Sequence, residues 1–79
     1  MQHCKLKQAE EHFREVLRID PRTALAYNRL GLVYKMWEQL EQAVKLFRRA
    51  VEVDPYIAMF RTDFRLILKN REAPESAKK

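Results

Sequence analysis

The chain has 79 residues, about half the length of a typical domain, so it holds one domain at most and sits where a single core gives marginal stability. Hydrophobic residues make up 47% and charged residues 34%, with one Gly and three Pro, a composition that favours helices and excludes disorder and a strand-rich fold. The 16 basic and 11 acidic residues leave a net charge of +5; they are interspersed as on solvated helix faces, which favours acidic partners and argues against a nucleic-acid-binding block.

Leu6, Ala9, Phe13, Val16 and Leu17 recur at three-to-four spacing and predict a first helix. Asp20 and Pro21 stop it, because the proline ring lacks an N–H and disfavours the α region for the residue before it. Thr23 is the expected N-cap of a second helix, whose stripe is Ala24, Tyr27, Leu30, Gly31, Tyr34 and Trp37. From Trp37 to Leu40 there is no Gly or Pro, so that turn is weakly specified. A third helix carries Leu40, Ala43, Val44, Phe47, Ala50 and Val51, and Asp54 with Pro55 repeats the stop. The fourth presents Ile57, Phe60, Phe64, Ile67 and Leu68 and is expected to fray near Asn70, ahead of a flexible polar tail at 72–79.

Sliding the sequence against itself by 34 positions carries Pro21 onto Pro55, Leu6 onto Leu40, Ala9 onto Ala43, Phe13 onto Phe47 and Asp20 onto Asp54. Further on, Ala24 falls on Ala58, Leu32 on Leu66 and Lys35 on Lys69. One complete repeat at 24–57 is therefore flanked by a half-repeat at 6–21 and a degenerate one at 58–70, together a module spanning 1–71. Tyr27, Leu30-Gly31, Tyr34, Ala43, Phe47 and Pro55 match the tetratricopeptide repeat signature in order and spacing, with Ala50 as a further favoured small residue. The chain thus resembles that family. The resemblance implies an all-α fold of antiparallel helix-turn-helix repeats, stacked as a short right-handed α-solenoid of about four helices. Gly31 fits the same packing physically, since a helix-interior Gly costs about 1 kcal/mol and is tolerated where a neighbouring helix approaches closely. Arg61 and Arg65, at the positions of Tyr27 and Gly31, mark the last segment as degenerate or capping.

The resemblance also implies a function, protein–protein interaction through the concave groove lined by the inner helix of each repeat. It places Leu25, Asn28, Arg29, Leu32, Lys35 and Met36 there, joined by Met59, Thr62, Asp63, Leu66 and Lys69. Leu25, Leu32 and Met36 form a stripe separate from that of Tyr27 and Tyr34, so one of the two faces away from the local core. Apolar residues rimmed by Arg29, Lys35 and Lys69 suit a protein or peptide with apolar anchors and acidic flanks; burial of the same stripe by another copy of the chain is the open alternative. The carboxyl-terminal clamp of one subgroup of the family is not reproduced, because Leu32, Met59 and Asp63 replace its amide or basic groups.

No catalytic constellation is present, and no cofactor is expected. One glycine cannot cradle a phosphate, and Cys4, His3 and His12 lack the spacing of a nucleophile pair or a zinc site. A square-planar copper site at Met1, Gln2 and His3 is the one metal arrangement the terminus could offer, and it is not adopted. A single cysteine and no signal-like segment fit a reducing, cytoplasmic setting, and no apolar run is long enough to span a bilayer. The alternative function is a basic RNA-binding helical repeat, though Tyr27, Tyr34 and Trp37 are placed as core and not as a base-stacking platform. Self-association as a homodimer is expected through open ends, around Leu6, Phe13 and Leu17 at one side and Phe60, Ile67 and Leu68 at the other. Two geometries fit that dimer: face-to-face docking, or an exchange in which Lys35 to Leu40 becomes continuous helix.

Overall fold

The computed structural model describes the backbone of residues 2–72 and the side chains of residues 5–71. Four helices occupy them: α1 (Gln2–Ile19), α2 (Ala24–Met36), α3 (Leu40–Val53) and α4 (Ala58–Glu72), with no strand among the described residues. α4 thus runs past Asn70 to the start of the expected tail, the rest of which lies outside the described residues. Each helix packs mainly on its neighbours in sequence, α1 on α2, α2 on α3 and α3 on α4. Short connections reverse the chain at each turn, so α2 and α4 point the same way.

The two proline turns are built alike. The Asp20 carboxylate accepts the Arg22 backbone N–H at 3.1 Å, and 34 residues later Asp54 accepts that of Tyr56 at 3.2 Å. Tyr27 Oη donates to the Pro21 carbonyl at 3.0 Å, and the Arg61 guanidinium donates to the Pro55 carbonyl. Arg61 therefore replaces the tyrosine by performing its hydrogen bond from a solvent-exposed position. Thr23 does occupy the N-cap of α2 in extended conformation, but its hydroxyl makes no capping bond. It donates backward to the Asp20 carbonyl at 2.8 Å and so closes the turn and not the helix end.

Backbone hydrogen bonds close the turn without a breaker. Glu38 adopts φ 61°, the left-handed conformation usual for a glycine, and its N–H reaches the Lys35 carbonyl at 2.8 Å while the Gln39 N–H reaches Tyr34 at 2.8 Å. These are the two bonds of a Schellman motif, so α2 and α3 are separate helices and not one continuous rod. Glu38→Gly should raise stability by about 1 kcal/mol, the cost of a side chain in this conformation, read as a higher urea midpoint at unchanged slope.

The core lies between α2, α3 and α4. Leu30, Tyr34, Ala43, Val44, Phe47 and Ile67 form its main cluster, with Ala24, Ala50 and Phe60 in a second. A Cβ on Gly31 would stand 3.1 Å from the Phe47 ring, so the missing side chain lets that ring lie directly on the α2 backbone. Trp37 caps α2 and meets Tyr34 edge-on, with ring centroids 5.5 Å apart. Pro55, expected in the core, is exposed at the turn, where its role is to end α3.

The open-end expectation is corrected at Phe60 and Ile67. Phe60 and Ile67 are buried against the preceding helices, and Phe13, Leu17 and Leu68 are half-buried on the main cluster, as Leu6 is half-buried on α1. Phe60 and Ile67 are thus spent on the internal core and not on an open end.

Candidate interaction face

The parallel pair α2 and α4 presents one outward stripe each. On α2 it comprises Leu25, Arg29, Leu32 and Met36, and on α4 Met59, Asp63, Leu66 and Asn70. The 34-residue relation pairs these as Leu25 with Met59, Arg29 with Asp63, Leu32 with Leu66, and Met36 with Asn70; the two helices meet at the Asn28–Asp63 hydrogen bond, and Leu25 and Met59 line one cleft. Leu25, Met36, Met59 and Leu66 are 47%, 60%, 44% and 52% exposed, four of the seven large hydrophobic side chains that are exposed among the described residues. Leu32 is half-buried because it also packs on the main cluster. Lys35 and Lys69 are exposed at paired positions near the C-terminal ends of the two helices, and Thr62 is exposed on α4.

Asn28 departs from expectation. It is 0% exposed and does not line the face; it is sealed beneath it. Its Nδ2 donates to Asp63 Oδ2 at 2.9 Å, and its Oδ1 accepts from Arg29 Nη1 at 3.2 Å. A buried amide needs both bonds, so Asn28 locks α2 to α4 and holds one acidic and one basic side chain at the centre of the face. Arg29 and Asp63 are both half-buried and form no ion pair with each other. At the N-terminal ends of the helices a shallow cleft of about 450 Å³ is lined by Leu25, Ile57, Met59 and Phe60 with Arg22 and Asp54.

A second polar cluster was not foreseen. On α1, buried Glu10 accepts from Tyr34 Oη at 2.5 Å, Arg14 Nε at 3.1 Å and Lys7 Nζ at 3.1 Å, and Arg14 also donates to the Tyr34 oxygen. The tyrosine hydrogen bond, with those of Lys7 and Arg14, outweighs burial and holds the Glu10 carboxyl down at about 2. Burial and the Glu10 carboxylate push the Tyr34 phenol up. An open hollow of about 580 Å³ adjoins this cluster, but the charges are already paired with one another, which marks it as a junction between α1 and α2. The sequence does carry a signal for it: the 34-residue shift puts Glu10 on Val44 and Tyr34 on Leu68, a polar pair where the next unit has an apolar one.

Among the described residues no group of three or more His, Cys, Asp or Glu is placed to hold a metal, and no helix is long and apolar enough to cross a membrane. The copper arrangement at Met1, Gln2 and His3, and Cys4, fall outside the described side chains. Residues 24–56 match the family model for the tetratricopeptide repeat. No curated protein and no solved structure matches the chain.

Proposed function

The chain is a tetratricopeptide repeat protein, matched to that family at residues 24–56, and from that premise we propose that it is a binding module, not an enzyme, which captures a protein segment on the α2/α4 face. Repeats of this family generally mediate protein–protein interaction. The observation that carries the reading is the set of four exposed apolar side chains, Leu25, Met36, Met59 and Leu66, on one face of the molecule. Covering them removes apolar surface from water at about 25 cal/mol per Å² before association costs, which makes them the natural anchors of a partner. Lys35 and Lys69 stand together at one end of the face, so the segment it prefers has spaced apolar residues and acidic residues lying at that end. The lone cysteine suits a reducing, cytoplasmic setting.

Selection of a displayed peptide library against the wild-type chain, counter-screened against a Met36→Glu/Leu66→Glu variant, tests this. Enriched peptides should carry apolar anchors with acidic flanks and lose at least tenfold in affinity for the variant, about 1.4 kcal/mol, while far-ultraviolet circular dichroism stays helical. Peptides that bind both proteins equally would put the binding surface elsewhere.

A further inference from the structure

The α2/α4 face has a property that an exact repeat would lack. An exact copy would place arginine at both positions of the second pair, whereas this chain has Arg29 on α2 and Asp63 on α4. Two such faces brought together with two arginines each would bury like charges and repel. With one charge of each sign, at paired positions on parallel helices, the face is complementary to itself.

We propose that this face docks on the same face of a second copy, giving a twofold dimer whose centre is a four-helix bundle of two α2/α4 pairs. The twofold axis lies in the interface, parallel to the helices. Rotation about it sets α2 over the α4 of the other copy without changing levels. Leu25 then meets Met59 of the second copy, Leu32 meets Leu66, and Arg29 meets Asp63, each contact occurring twice. Within one copy Asn28 stands between Arg29 and Asp63 and satisfies one Asp63 oxygen, Oδ2. The other Asp63 oxygen, Oδ1, is the acceptor offered to the guanidinium of the facing copy. A foreign peptide would have to supply an acid and a base in this register, whereas a second copy supplies them by symmetry.

The face is two helices wide and short, below the ~800 Å² per partner of standard interfaces, so association belongs in the micromolar range. This dimer goes beyond the peptide reading and does not depend on it, since it forms with no other protein present. Where both hold, dimer and peptide exclude each other, and dissociation is what opens the groove.

Light scattering coupled to size-exclusion chromatography over about 10–200 µM should show the mass rising from 9.5 kDa toward twice that value. Arg29→Asp and Asp63→Arg should each stay monomeric over that range, and an equimolar mixture of the two should dimerise, because every introduced charge then faces its opposite. Each charge variant removes a partner of buried Asn28, so circular dichroism must show both folded; should either unfold, Leu66→Lys, at an exposed site, replaces it and is expected to be monomeric. A wild-type chain that remains monomeric throughout overturns the proposal. So does a dimer that persists in both Arg29→Asp and Leu66→Lys, or a folded pair of charge variants that stays monomeric when mixed.

Discussion

Phe47→Ala should cost about 3–5 kcal/mol and lower the urea midpoint steeply at 25 °C. Phe47 is 1% exposed and lies in the main cluster between helices, and Gly31 has given up its side chain to admit the ring. Truncation therefore opens a cavity against a backbone surface that cannot collapse into it, because the α2 helix itself forms the wall. A chain this short has a total stability of only about 4–12 kcal/mol at ordinary per-residue values, so the loss is a large share of the whole. Urea denaturation followed by circular dichroism should show a transition displaced to much lower urea, with Tyr56→Ala, at a 90% exposed site, as the near-neutral control. A cooperative transition for Phe47→Ala within 1 kcal/mol of wild type would contradict the packing of α2 on α3.

The close approach of a helix at Gly31 was legible in the sequence because a missing side chain on an apolar helical stripe marks it, while the structure supplies Phe47 as the ring that fills the gap. The burial of Asn28 was not. Periodicity assigns a residue to a direction around its helix, but whether that direction meets solvent depends on the next inner helix, which the stripe does not reveal. Its repeat equivalent, Thr62, is exposed, since no further inner helix follows α4 among the described residues. For Phe60 and Ile67 the sequence held a clue that points inward: they are the equivalents of Ala26 and Val33, which are also buried. The turn at Glu38 left no trace, because its left-handed residue is not a glycine and the hydrogen bonds that close it come from the backbone.

The junction of α1 with α2 should behave as one polar unit in a double-mutant cycle. Glu10→Val and Tyr34→Leu install, singly or together, the pair that stands 34 residues later, where Val44 and Leu68 belong to one apolar cluster. Each single change strands a partner. Tyr34→Leu leaves the buried Glu10 carboxylate without its shortest donor, and Glu10→Val leaves Tyr34 without its acceptor, frees Lys7 and leaves Arg14 only its bond to the Tyr34 oxygen. Singles should cost about 1–3 kcal/mol each, and the double should cost less than their sum by about 0.5–3 kcal/mol. The pH dependence separates the variants further. Glu10 titrates at about 2 when folded against 4.5 for the free side chain, so its contribution is complete above pH 4.5 and is lost as pH falls toward 2. Denaturation of wild type and double variant across this range should show their stabilities converging, or crossing, on acidification, since the double has no Glu10 proton to gain. Parallel pH profiles, with additive singles at neutral pH, would mean that Glu10 and Tyr34 contribute independently and that the short contact between them holds nothing together.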